Sequence, residues 1–304
     1  MNARVFLLGA GYSSRAYARL LAGEGQRVVG TTRSPGKMQR LRADGVEPLF
    51  FDGNSISDEM AQALAQTTHL VVSAAPDHGP SVWASRDPLL GLLVDGLRPA
   101  MPALQWIAYL STVGVYGNHD GEWVDEDSEL RPRSARATAR VEAENDWMAA
   151  GEDAGVPVAV LRLSGIYGPG RNALVNLERG TARRTVKPRQ VFNRIHVADI
   201  AGSLAFLGER RIRGVFNVTD DEPGPPQDVV TYAASLMGVT PPPELAWDAA
   251  GMSPMALSFW ADNKRVSNAR LRQAGYRFAY PNYRLALDTM WQQDAWRGDD
   301  DPDA

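Results

Sequence analysis

The stretch VFLLGAGYSSRAYARLL, residues 5–21, constrains the fold more than any other part of the chain. A short apolar run ends at Gly9, a second glycine follows at Gly11, and Ser14 opens a helical segment. Set between strand and helix, the pattern G-x-G-x-x-S has a mechanical meaning. Gly9 allows the tight turn, Gly11 lets a pyrophosphate approach the backbone, and the free amides and dipole of the helix start hold the anion. Ser14 replaces a third glycine with another small residue, so the helix can still pack close to the strand. A strand-turn-helix that needs glycine for geometry alone is the plain alternative.

The alternation continues. The runs RVVGTT (27–32), EPLFFD (47–52), HLVVSAA (69–75), QWIAYLS (105–111) and VPVAVLRLS (156–164) read as strands. Between them SPGKMQRLRADG, SDEMAQALAQ, a segment near 88–98 and one over about 134–150 read as helices. Six such units predict an α/β fold with a doubly wound parallel sheet and helices on both faces. After Gly168 the Pro-rich PGPP and TPPPE interrupt the alternation. This predicts a first domain over 1–168 and a smaller C-terminal substrate lobe over 169–304, with segments near 190–220 returning to the first domain.

Bulk composition narrows the function. The chain has 304 residues, 44% of them hydrophobic and 22% charged, enough to bury a large core. With 32 basic against 36 acidic residues it lacks the positive field of a general nucleic-acid binder. The absence of cysteine rules out disulfides, thiolate metal sites and cysteine nucleophiles. His69, His78, His119 and His196 are scattered, so no metal site is expected. The amino-terminal apolar run is too short for a signal-peptide core, and no stretch approaches the roughly 18 apolar residues of a membrane span. The expectation is a cytoplasmic protein without a membrane partner, acting on a small-molecule substrate as a monomer or homodimer. The tail RGDDDPDA reads as a solvated terminus.

The end of the second strand bears on the choice of dinucleotide. An acidic residue there would take the adenosine ribose 2'-hydroxyl, but the chain reads Gly30-Thr31-Thr32-Arg33-Ser34. Arg33, helped by Thr32, Ser34 or Lys37, offers donors suited to a 2'-phosphate, which favours NADP, with NAD as the other choice. Asp52 in FFDGN either reaches the adenine edge or makes an Asx-type turn before the glycine.

At STVGVYG (111–117), LRLSGIYGPGR (161–171), RIHVADI (194–200) and KRVSNARLRQAGYRFAYPNYR (264–284) the chain resembles the extended short-chain dehydrogenase/reductase superfamily, the NAD(P)-dependent epimerase/dehydratase group. The resemblance implies a Rossmann domain with a small substrate lobe. It places Thr112 where the family's hydroxyl residue bonds the substrate oxygen, Ser164 near the nicotinamide, and Tyr167 with Gly168 and Pro169 at the turn into the lobe. The family also carries a segment P-x-S-x-Y-x-x-x-K-x-x-x-E, whose tyrosine is the acid/base and whose lysine lowers the tyrosine's pKa and holds the ribose. Here Pro132, Ser134 and Glu144 keep that frame, while Arg136 and Arg140 occupy the tyrosine and lysine positions. No tyrosine or lysine occurs between Tyr116 and Tyr167, so the chain looks like an atypical member.

Arg140 can still donate to ribose hydroxyls. Arg136 cannot trade a proton, because a guanidinium stays charged at any working pH. It either binds an anionic substrate group or faces solvent in the series Arg136, Arg140, Glu144. Another group must then move the proton in an enzyme. His196 is the first candidate, and its alternative is a structural histidine that caps or packs under a helix starting at Val197. Tyr116 and Tyr167 follow. The basic run Arg179, Arg183, Arg184, Lys187, Arg189, Arg194 either holds substrate phosphates or forms a solvated face.

The candidate catalytic residues are therefore Thr112, His196, Tyr167 and Arg140. The candidate cofactor contacts are Gly9, Gly11, Tyr12, Ser13 and Ser14 at the turn, Thr32, Arg33 and Asp52, Ala74 and Ala75 at the end of the fourth strand, and Ser111, Arg140 and Ser164. Arg136, Arg171 and Arg184 are the candidate substrate contacts. The expected activity is that of an NADP-dependent oxidoreductase or an epimerase/dehydratase-like enzyme on a small, anionic or nucleotide-linked substrate. A catalytically silent NADP(H) sensor or interaction protein is the alternative from another class.

Overall fold

The computed structural model describes residues 3–76, 87–249, 251, 257 and 260–298. His78 and the last residues of the acidic tail, 299–304, lie outside the described residues. In chain order the elements begin with β1 (Arg4–Leu8), α1 (Tyr12–Gly23), β2 (Arg27–Thr32), α2 (Met38–Ala43), β3 (Val46–Phe50), α3 (Asp58–Ala65), β4 (His69–Val72), α4 (Leu97–Ala100) and β5 (Trp106–Thr112). They continue with β6 (Trp123–Val124), α5 (Ala135–Asp153), β7 (Val158–Leu163), β8 (Gly165–Tyr167), α6 (Ala173–Glu178), β9 (Arg184–Val186), β10 (Arg194–His196), α7 (Val197–Glu209) and β11 (Gly214–Val218). The last are α8 (Pro226–Met237), β12 (Glu244–Ala246), β13 (Arg265–Val266), α9 (Ala269–Gln273) and α10 (Tyr283–Gln292).

Seven strands form the main sheet in the order β3-β2-β1-β4-β5-β7-β11. The pairs β1–β2, β2–β3, β1–β4 and β4–β5 are parallel, with Leu7 opposite both Gly30 and Val71. The chain thus winds outward from β1 in one direction, returns, and winds outward in the other, which is the doubly wound arrangement that the alternation predicts. The seventh strand is an addition to the six read from the sequence. The segment near 88–98 also differs from the sequence reading: turns run over 87–95 and only Leu97–Ala100 is helical, Gly96 preceding it at φ 86°.

Two compact units make up the chain. One comprises Met1–Val115, Pro132–Arg162 and Ile200–Phe216, the other Tyr116–Arg131, Leu163–Asp199 and Asn217–Ala304. The core of the first follows from its sequence. Strand residues such as Phe6, Leu8, Leu70, Val72, Ile107, Tyr109 and Val160 are buried and meet Met60 and Leu64 of α3 and Ala143 and Trp147 of α5. Helix α5 buries Ala139, Ala143, Glu144, Trp147 and Gly151, a stripe one face wide at helical spacing. Gly151 lets it lie close: a Cβ there would sit 2.1 Å from Val158 Cγ2 and 2.9 Å from the Val156 carbonyl oxygen. In the second unit α6, α8 and α10 share a core that includes Leu174, Val175, Ala233, Tyr283, Leu287 and Met290. Short parallel pairs β8–β10, β9–β12 and β6–β13 complete it.

Candidate functional site

The glycine turn lies at the point where the strand order reverses, between β1 and β4. Gly9 has φ +89°, and a Cβ on it would come within 2.9 Å of the Ala74 amide nitrogen. The end of β1 is pinned on both sides. Ser73 and Ala74 donate from their amides to the Leu8 carbonyl (2.8 and 2.9 Å), and Gly9 and Ala10 donate to Thr31 Oγ1 and the Thr31 carbonyl (both 2.8 Å). Gly11 is the N-cap of α1 and supplies no side-chain cap, and no acidic residue occupies the first turn. A Cβ placed on Gly11 would meet nothing within 4 Å. A helix start without a side-chain cap, with open space beside its N-cap glycine, suits an anion such as a pyrophosphate. Tyr12 begins the helix, and Ser13 and Ser14 are buried in its first turn, the Ser14 hydroxyl without a hydrogen-bond partner among the described residues.

At the end of β2, Thr32 Oγ1 accepts from the Ser34 amide (3.1 Å) and shapes the turn. Arg33 and Lys37 are exposed, and their side chains have no partner among the described residues. Asp52 makes the Asx-type turn: its two carboxylate oxygens accept from the Asn54 amide and side chain at 2.9 Å, which holds its carboxyl below the usual range. Ala74 and Ala75 lie just beyond the end of β4, half-buried and exposed respectively.

The frame around α5 has an internal side that the sequence reading missed. Ser111 is 4% exposed and donates its hydroxyl to Glu144, which in turn takes Arg162 in a two-pronged ion pair with Nη2 to Oε2 at 2.8 Å. An arginine in the middle of an apolar strand, VAVLRLS, was the available signal, since such a charge needs a buried partner. Arg140 lies higher on the same helix, half-buried, with Nη1 donating to the Leu110 carbonyl (2.6 Å) and its guanidinium 5.9 Å from the Tyr109 ring centre. Tyr109 is pushed up to about 12, first by burial. Thr112 Oγ1 accepts from the Gly114 amide (3.1 Å), leaving its own O–H to donate elsewhere. Arg136 is exposed and has no partner among the described residues.

The second unit holds the other candidates. Ser164 is buried, with its amide on the Val218 carbonyl (3.2 Å) and its hydroxyl without a partner among the described residues. His196 is 3% exposed. Its Nδ1 accepts from the Ala198 amide (3.2 Å) at the start of α7, while its Nε2 has no partner among the described residues. Because an amide can only donate, the proton of the neutral ring sits on Nε2, and the ring faces its neighbours as a donor. Burial pushes its pKa down to about 4. The Tyr280 ring lies 4.1 Å away centre to centre and the Tyr167 ring 5.3 Å away, edge-on. Tyr167 is raised by burial and then by the nearby Asp220 carboxyl.

Tyr116 is fully buried and donates to Asn217 Oδ1 (2.7 Å), a structural role. Arg171 is exposed and closes the turn at Gly168 through its amide (3.0 Å). Arg184 pairs with Glu244 (2.6 Å) and lines a groove of about 390 Å³ with Tyr232, Tyr283 and Arg284. Arg179, Arg183 and Arg189 are exposed. No group of acidic residues and histidines among the described residues could hold a metal ion, and no helix among them is long and apolar enough to cross a membrane.

Known proteins resemble this chain in sequence and fold. The model of the NAD dependent epimerase/dehydratase family matches residues 5–213. A 3-diazoavenalumate denitrifying reductase from a Streptomyces species is 30% identical over 166 residues, 50% of this chain and 52% of that protein, so the match spans about half the length of this curated relative. The solved structure of a functionally unknown conserved protein from Silicibacter pomeroyi DSS is 44% identical, with a TM-score of 0.83 over 95% of this chain and 98% of that one. MoeE5, solved in complex with UDP-glucose and NAD, is similar in fold, with 22% identity and a TM-score of 0.71 over 95% of this chain and 98% of its own.

Proposed function

The chain belongs to the NAD-dependent epimerase/dehydratase family, and on that premise we propose that it is an NADP(H)-dependent oxidoreductase for a small, anionic or nucleotide-linked carbonyl or hydroxyl compound, working without the family's tyrosine–lysine pair. The observation that carries the cofactor choice is Arg33, exposed at the end of β2 with no partner and with no carboxylate in the run Gly30 to Ser34. A carboxylate there would repel a 2'-phosphate, whereas a guanidinium can take it in a two-pronged bond, with Lys37 as a second cation. The open space at Gly11 and the uncapped start of α1 suit the pyrophosphate. Bound nicotinamide would supply hydride transfer.

The chain's own residues would divide the remaining tasks. Thr112 keeps a free O–H with which to hold a substrate oxygen. Arg140 is fixed by the Leu110 carbonyl and offers its remaining N–H groups to ribose hydroxyls. The reductase name of the Streptomyces relative supports reductive chemistry, and the UDP-glucose complex of MoeE5 supports including nucleotide-linked compounds among the substrates.

Calorimetry with NADPH and NADH tests the reading. NADPH should bind more tightly, and Arg33→Ala should cost NADPH about 1.5–3 kcal/mol while leaving NADH nearly unchanged. Equal affinities for the two in the unaltered chain would overturn the NADP assignment. A screen of carbonyl compounds and nucleotide sugars, followed by nicotinamide absorbance, then tests turnover. Tight NADPH binding without turnover of any compound would favour the sensor.

A further inference from the structure

The second unit holds a set of buried polar groups around Tyr167, His196 and Asp220. Strands β8 and β10 pair in parallel with Tyr167 opposite His196. Asp220 follows β11, and its amide donates to the carbonyl of Arg194, two residues before His196 (2.7 Å). Asp220 is 1% exposed. The Tyr167 hydroxyl, His196 Nε2 and Asp220 Oδ2 are all buried, and none has a hydrogen-bond partner among the described residues. Leaving a buried polar atom unpaired is costly, and three together would take a large part of the small margin by which a domain is stable. The usual remedy is an internal water making about three hydrogen bonds.

The three atoms are chemically matched to such a water. Nδ1 of His196 is committed to Ala198, so Nε2 donates. Asp220 Oδ1 accepts from the Glu222 amide (3.1 Å), which leaves Oδ2 to carry a proton or to accept one. A phenol does either. We propose that Asp220, Tyr167 and His196 form an internal proton-sharing site that binds a water molecule within the second unit. The charged and titratable groups that act on it are Arg194, Asp199, Tyr280, Asp221 and Glu222. The only cation among them, Arg194, spends its guanidinium on the carbonyls of Phe192, Gly224 and Pro225 and forms no ion pair with Asp220. Without a paired cation, burial raises the Asp220 carboxyl to about 8. The use of this proton for a reduced substrate oxygen would rest on the oxidoreductase reading; the existence of the site does not.

The test needs no substrate. The full chain, with nitrogen-15 in its histidine rings and carbon-13 in its aspartate carboxyls, is titrated by NMR from about pH 5 to about pH 9. Expected are an Nε2–H tautomer for His196 throughout, an Asp220 carboxyl that ionises several pH units above ordinary carboxylates, and a step in the His196 Nε2 resonance at the same midpoint. Asp220→Asn should abolish that step, and Tyr167→Phe should reduce it while the Nδ1 resonance stays in place. An Asp220 midpoint in the ordinary carboxylate range, an Nδ1–H tautomer, or no step at His196 would each overturn the proposal. The unaltered chain and Tyr167→Phe decide the matter even if Asp220→Asn does not fold.

Discussion

Glu144, like Pro132 and Ser134, is a position of the frame where the family's residue survives, and it survives as an interior group. It is 3% exposed and holds both Ser111 and Arg162. Replacing it by its uncharged amide would strand the Arg162 guanidinium in the core, so Glu144→Gln should cost about 3–5 kcal/mol, measured by urea denaturation. Ser111→Ala removes one hydrogen bond to a charged group and should cost less, about 1.5–3 kcal/mol. The order of the two losses is the informative result: a smaller loss for Glu144→Gln would mean that the ion pair is not what holds the helix. Arg136, two turns earlier on α5, carries a charge of opposite sign with none of this dependence, because it is exposed.

At the scale of elements, α5 also shows where propensity and packing disagree. Alanine is the better helix former by about 1 kcal/mol, yet Gly151 lies against Val158 and the Val156 carbonyl with no room for a Cβ. Gly151→Ala should therefore lower the urea midpoint by about 1–3 kcal/mol in stability, the cost typical of overpacking, and an increase would show that β7 yields easily. At the other end, the Ser134 hydroxyl accepts from the Ala137 amide (3.2 Å), and Ser134→Ala should cost about 0.5–2 kcal/mol. The elements that the sequence announces are those whose pattern is local: the glycine turn, the β-branched runs of β1, β2 and β5, and a helix beginning at Val197. The elements it conceals depend on distant partners. The run GVFNV joins the sheet as β11 because strands from far earlier in the chain offer it an edge, and residues 88–96 form turns despite their leucines. The site divides in the same way. Gly11 and Arg33 can be read in place, whereas TDDEP looks like a surface turn and gives no hint that Asp220 is enclosed.

For the molecule as a whole, the buried titratable groups set how stability follows pH. Asp220 binds its proton more tightly folded than unfolded, so its contribution falls as pH rises from the ordinary carboxylate value toward about 8. His196 works in the opposite sense: its folded pKa of about 4 lies below the unfolded value, so stability is gained as pH climbs through about 6.5 and is lost on acidification toward 4. The two slopes oppose each other between about pH 4 and 6.5. Above that range only the Asp220 slope remains, and stability should drop by about 2 kcal/mol between pH 6.5 and 8, at about 1.4 kcal/mol per pH unit for one proton. Burial raises Asp87, Glu126 and Asp199 as well, so each contributes a loss of the same sign above the ordinary carboxylate range. Thermal melts across this range check it, and Asp220→Asn should flatten the alkaline limb; a limb unchanged by that substitution would show that Asp220 is not its source.

The inward grip on α5 has a consequence for how such a chain can change its chemistry. Ser111, Glu144 and Arg162 fix the helix from the interior, so the exposed position at Arg136 is exempt from any duty to the fold. A tyrosine could be lost from such a position, or grafted back, without the scaffold registering the exchange. Arg136→Tyr combined with Arg140→Lys is thus a transplant onto this host: NADPH affinity should hardly move and turnover should not rise, and a large gain in turnover would mark the native site as a damaged form of the usual one.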